Sequence, residues 1–100
     1  MRARVQRCQG PAPASEEVVA GMRAQGLEPR RWGNGPGDTY GWHEHGYHKV
    51  LYCLSGSIVF HTRTDGDIEL YPGDRLDLDP GTPHAATVGS GGVECVEAAV

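Results

Sequence analysis

Positive charge is scarce in this chain. Nine lysines and arginines stand against thirteen acids, for a net charge of −4 and a pI near 5.6. No basic cluster runs along any segment, so neither nucleic acid nor an anionic membrane is an expected partner. No apolar run approaches the thickness of a bilayer, and the first residues lack the apolar stretch of a secretory signal; a cytoplasmic location is the expectation. Only three cysteines occur, Cys8, Cys53 and Cys95, widely spaced and with no CxxC pair, which argues against a disulfide framework. Cys53 lies in an apolar run, where a thiol acts as a small buried hydrophobe. No phosphate-binding glycine loop, dinucleotide fingerprint or Ser-His-Asp arrangement appears. Lysine is rarest among the charged types: Lys49 is the only one.

What the chain does have is turns. Fifteen glycines and seven prolines in 100 residues suit a compact all-β fold better than a helical bundle. This length permits one domain with a modest core, with residues 1–27 as an N-terminal strand and helix cover and 28–100 as the β body. A short strand is expected over 3–8. A helix should follow from about Ser15 to Gln25, with Ser15 as N-cap, Glu16 and Glu17 at its positive end and Gly26 at C′. Val18, Val19 and Met22 form one apolar stripe, so this helix is read as a structural cover. Beyond it, residues 28–33 read as a strand and 33–38 as a loop. From Thr39 onward the pattern is strands and turns, with tight turns at 55–57, 65–66, 72–74 and 80–83 and a Gly-rich break at 89–92. Eight or nine short strands with regular turn signals imply a sandwich or a barrel.

Four of the five histidines fall in two places: Trp42-His43-Glu44-His45-Gly46-Tyr47-His48-Lys49 and Pro80-Gly81-Thr82-Pro83-His84. On a strand, residues two apart share a face, so His43 and His45 are expected side by side. A third imidazole from a distant strand, His84, would complete three arms of a metal cage.

These residues resemble the two motifs of the cupin superfamily, small jelly-roll β-barrels. The first motif is Gly, five residues, His-x-His, three or four residues, Glu, six residues, Gly; Gly37, His43, His45 and Gly56 fall in register, with Lys49 in the Glu position. The second is Gly, five residues, Pro, one residue, Gly, two residues, His, three residues, Asn; Gly73, Gly81 and His84 match, while Asp79 and Val88 replace Pro and Asn. The resemblance implies an all-β jelly-roll barrel with a divalent transition metal (Zn, Mn, Fe or Ni) held by His43, His45 and His84 in its mouth. With the motif's Glu missing, occupancy is expected to be partial or exchangeable. His48 is a possible fourth ligand if a local bulge turns it inward. The resemblance further implies a small-molecule ligand and a homodimer, with segment 1–13 as the candidate exchanged strand.

Lys49 has three open roles. Neutral, it could serve as a base or carbonyl nucleophile; charged, it could pair with a ligand carboxylate; or its head could reach solvent or an acid such as Asp77 or Asp79. Trp42, Tyr47, Tyr52 and Phe60 are candidate cavity walls, with Tyr47 a rim residue that contacts ligand. His61 should be a surface or packing residue, and Glu44 should face away from the site. The function expected is a ligand-binding or sensor module; the alternative is a metal-dependent enzyme of dioxygenase, isomerase or decarboxylase type.

Overall fold

The computed structural model describes residues 2–100. The elements in chain order are β1 (Ala3–Gln6), α1 (Ser15–Ala24), β2 (Arg30–Asn34), β3 (Thr39–His43), β4 (Lys49–Thr62), β5 (Asp67–Leu70), β6 (Arg75–Leu78) and β7 (His84–Ala99). All strand pairs are antiparallel and form one 7-stranded sheet, ordered β1-β6-β4-β7-β2, with β3 on β7 and β5 on β4. Rolled on itself, the sheet is the jelly-roll barrel that the histidine motifs imply. No helix among the described residues is long and apolar enough to cross a membrane.

The barrel is organised by one long ladder. β4 and β7 pair from Lys49↔Ala99 through to Thr62↔His84, with register shifts between Cys53 and Ser55 and between Gly56 and Ile58. The segments expected as a tight turn at 55–57 and a break at 89–92 are therefore bends inside two continuous strands of 14 and 16 residues. Glycine makes the bend possible. Gly56 has φ +71°, and a Cβ there would sit 2.0 Å from the Gly92 carbonyl oxygen, closer than any side chain allows. The bend folds the ladder double, so both of its ends meet at one mouth. β2 and β3 then take opposite ends of β7, and β6 and β5 opposite ends of β4.

Strand alternation sorts the residues. Leu51, Cys53, Ile58, Phe60, Ala86, Val88, Val93 and Cys95 point into the barrel and pack with Ile68, Leu70, Leu76 and Leu78. Cys53 and Cys95 face each other across the ladder as buried free thiols. Val96 and Ala98 point outward and are covered by Val18 and Met22 of α1, with Tyr52 and Leu54 alongside. Tyr52 thus lies beside the helix, where it borders a hollow with Pro13, Glu17 and Val18, and not in the barrel mouth.

The helix start differs from expectation. Ala14, extended at φ −64° and ψ 152°, is the N-cap, and no side chain caps the end. The Ala14 carbonyl already accepts from the Glu17 and Val18 amides, which makes Ser15 the first helical residue and takes its hydroxyl out of capping position. The C-terminus follows expectation, with Gly26 at φ +81°, its amide on the Arg23 carbonyl and the Leu27 amide on the Met22 carbonyl. β1, the segment read as a candidate for exchange, pairs with β6 of its own chain, Ala3 opposite Leu78.

Candidate metal centre and its cavity

His43 ends β3, His45 lies in the loop just past it and His84 begins β7. His43 and His84 are directly opposed in the β3–β7 pairing. His45 is held by its backbone: its carbonyl accepts from the Gly81 amide at 2.8 Å, which ties its loop to the turn preceding His84. The three rings consequently converge. Centroids are 5.0 Å apart for His43–His45, 4.2 Å for His43–His84 and 5.2 Å for His45–His84. One ring nitrogen from each lies within 4.8 Å of the others.

Hydrogen bonding prepares these nitrogens for a metal. His43 Nδ1–H donates to the Gly41 carbonyl at 2.7 Å, and His84 Nδ1–H donates to the Thr82 carbonyl at 2.8 Å. A carbonyl can only accept, so each bond fixes the proton on Nδ1 and leaves Nε2 with a free lone pair. His45 Nε2 is buried and has no partner, a position that normally costs free energy unless something fills it. Burial pushes His84 down to about 4, against the hydrogen bond to Thr82, with His43, Lys49 and His45 lowering it further. His45 is lowered by burial first, then by Lys49 and His43. Two imidazoles held below their ordinary value, an orphaned buried nitrogen and oriented lone pairs fit a divalent transition metal.

His48 is not among the three. Its Nε2 is 2.8 Å from Asp77 Oδ2, on a carboxylate that also accepts from Arg75 Nε at 2.7 Å. Neither Asp77 nor Asp79 is Lys49's partner. Asp79 pairs with Arg4 at 2.9 Å, and Lys49 instead turns into the barrel. Its Nζ is 3.3 Å from Glu97 Oε1, with both side chains largely buried. The same oxygen accepts from Trp32 Nε1–H at 2.7 Å. His61 sits between Asp67 and Thr87, 2.9 Å from each, away from the other rings.

Beside the imidazoles opens a cavity of about 230 Å3, lined by Trp32, Tyr40, His43, Lys49, Leu51, Phe60, His84, Ala86 and Glu97. Of the expected wall residues, Phe60 is there. Trp42 is half exposed and lies under Arg63, whose guanidinium carbon is 4.6 Å from the ring centroid; with His43, Glu44 and Pro83 these two border a separate outer hollow. Tyr47 stacks on His45 at 5.0 Å on the rim. Sequence reasoning missed Trp32, Tyr40 and Glu97. The signal for Glu97 was alternation from Cys95, had strand β7 been carried past Val96 to its end at Ala99.

The cupin-domain family model matches residues 31–97. No curated protein matches the chain. Among solved structures, a chain from crystal structures of the DMSP lyases RdDddP and RnDddQII is 32% identical over 75% of this chain, with a TM-score of 0.69. This chain spans 38% of that one. A cupin superfamily protein from Desulfitobacterium hafniense is 16% identical over 99% of this chain and 77% of its own, with a TM-score of 0.66. A DUF861 family protein from Thermotoga maritima is 13% identical, with coverage of 99% and 100% and a TM-score of 0.65. Two histidine motifs, a doubled β4–β7 ladder and a family match across the barrel lead to one statement: the chain belongs to the cupin family.

Proposed function

We propose that this cupin holds one divalent transition metal on His43, His45 and His84 and binds a small carboxylate-bearing molecule in the adjoining cavity. What carries the reading is the orphaned His45 Nε2 among three ring nitrogens within 4.8 Å, two of whose rings have the other nitrogen tied to a carbonyl. When bound, the ion supplies Lewis acidity to a ligand oxygen and leaves coordination positions open. The chain supplies the rest. Lys49, held in place by Glu97, keeps ammonium donors free to meet a carboxylate, and Trp32, Tyr40 and Phe60 shield the ligand from water. With no carboxylate in the position of the motif's Glu, the metal is exchangeable.

A metal-assisted enzyme is the second reading. The similarity to DMSP lyase chains and the presence of an ammonium and a carboxylate in the same cavity favour it. The test is metal content of tag-free protein before and after dialysis against a chelator, with His84→Ala alongside. Expected are sub-stoichiometric metal as purified, about one zinc per chain on reloading, and at least a hundredfold weaker zinc binding in His84→Ala. Propionate should bind the zinc-loaded protein and not the chelated one. Full, chelator-resistant occupancy, or zinc binding unchanged in His84→Ala, contradicts the proposal. Turnover of DMSP by the loaded protein would select the second reading.

A further inference from the structure

Cys53 and Cys95 are buried nucleophiles that neither the metal centre nor its cavity uses. They are direct partners in the β4–β7 ladder, their side chains share the barrel interior, and both are 0% exposed. The backbone fixes how close they stand. The Cys53 amide donates to the Asp74 carbonyl at 3.1 Å, and the Cys53 carbonyl accepts from the Gly73 amide at 2.9 Å. Both groups are spent on the β6 side, which leaves neither for β7. Cys53 and Cys95 are therefore a non-hydrogen-bonded pair, the closer of the two antiparallel spacings, with Cα atoms about 4.5 Å apart. A disulfide spans Cα separations of about 4.4–6.8 Å, so this pair can close one at the short end of the range. A crosslink there is strained, and strained disulfides are the readily reduced ones.

Burial ordinarily makes a thiol inert. This pair, however, lies one layer of side chains below the mouth. Leu51 and Glu97, the next inward residues on β4 and β7, line the cavity, as does Trp32, the partner of Cys95 on β2. A hydroperoxide that enters the cavity meets the sulfurs just behind them. The two thiols are also unequal. Contact with Cys95 holds Cys53 below the ordinary thiol value, and contact with Cys53 pushes Cys95 up, which makes Cys53 the first to attack.

We infer that Cys53 and Cys95 are a redox pair, closed to a disulfide by a hydroperoxide and reopened by a thiol reductant. The Cys53 sulfur attacks one oxygen of hydrogen peroxide and the O–O bond breaks. The departing hydroxide takes the Cys53 proton as water, and Cys53 is left as a sulfenic acid. The Cys95 sulfur then attacks that of Cys53; the S–O bond breaks and the S–S bond forms. The second hydroxide leaves with the Cys95 proton, so two thiols are oxidised and one peroxide is reduced to two waters. This chemistry needs no metal or ligand in the mouth, and its product ties β4 to β7 beneath the cavity floor.

The test treats the metal-free full chain with hydrogen peroxide, caps remaining thiols with iodoacetamide under denaturing conditions, and measures intact and peptide masses. Of the three thiols only Cys8 should stay open to capping, with Cys53 and Cys95 in one linked peptide and all three recovered by dithiothreitol. Tryptophan emission should fall on oxidation and return on reduction, because Trp32 pairs with Cys95 and a disulfide quenches a neighbouring indole. Cys8→Ser, which removes the one partly exposed thiol, should close the same bond. In Cys95→Ala, dimedone should label Cys53 and no linked peptide should form. The linkage in the unaltered chain decides the matter even where that variant folds poorly. Three thiols still open to capping after peroxide, oxidation confined to Cys8, or linkage of either buried cysteine to Cys8 alone overturns the inference.

Discussion

The closed end and the mouth of this barrel are lined by the same two strands, β4 and β7, yet they bury opposite chemistry. Around the bend, Ile58, Leu70, Leu76 and Cys95 are 0% exposed and Val88 only 3%. At the mouth the same inward register carries Lys49, Glu97 and His84, with Thr62 buried beside them. One end gains stability from apolar area removed from water. The other encloses an ion pair and an imidazole that bears no charge, groups that offset little of their own desolvation. The difference teaches that the stability of this fold resides at the bend and its binding chemistry at the strand ends, and that the doubled ladder brings both ends to one place.

That division can be broken most sharply by urea denaturation. Leu70→Ala at the closed end should cost about 3 kcal/mol, a buried leucine lost from a packed core. K49M/E97Q at the mouth, where two charges give way to matched neutral side chains, should stay within about 1 kcal/mol of the parent or exceed it. A mouth substitution as costly as the closed-end one would erase the distinction.

A smaller effect, in pH, sharpens it. The folded His84 titrates near 4 because it is buried, and an unfolded imidazole near 6.5. Between those values the unfolded chain binds a proton that the folded chain refuses, so stability rises with pH. For the metal-free protein this contribution is fully present above about 6.5, declines as pH falls through the window and is gone below about 4. The urea midpoint should therefore drop from pH 7.5 to pH 5, a range above most carboxylate titration, and the drop should shrink in His84→Gln. Equal drops in both proteins would show that the loss originates elsewhere.

How far the sequence could be read follows the same division. His43, His45 and His84 were legible because each motif is local: spacing along the chain and a Gly-containing turn suffice to place an imidazole. The helix and its Gly26 terminus were legible for the same reason. The long ladder was not. Ser55-Gly56-Ser57 and Gly89 to Gly92 have turn composition, but Gly56 and Gly92 approach across the ladder and bend two continuous strands instead of ending them. From that misreading came the others. With β7 cut short, the inward position of Glu97 was invisible, and Lys49 was given acids on β6 and beyond when its partner lies on the strand opposite. Trp32 and Tyr40 enter the cavity only through their pairing with β7, a long-range register that no local pattern encodes.

X-ray absorption at the zinc edge of the loaded protein tests the central claim most directly. Three imidazole nitrogens at about 2.0–2.1 Å, completed by light oxygen scatterers and reduced in His84→Ala, are the expected first coordination sphere. A sphere with one imidazole or none, or one unchanged by His84→Ala, would contradict convergence of His43, His45 and His84 on a single ion.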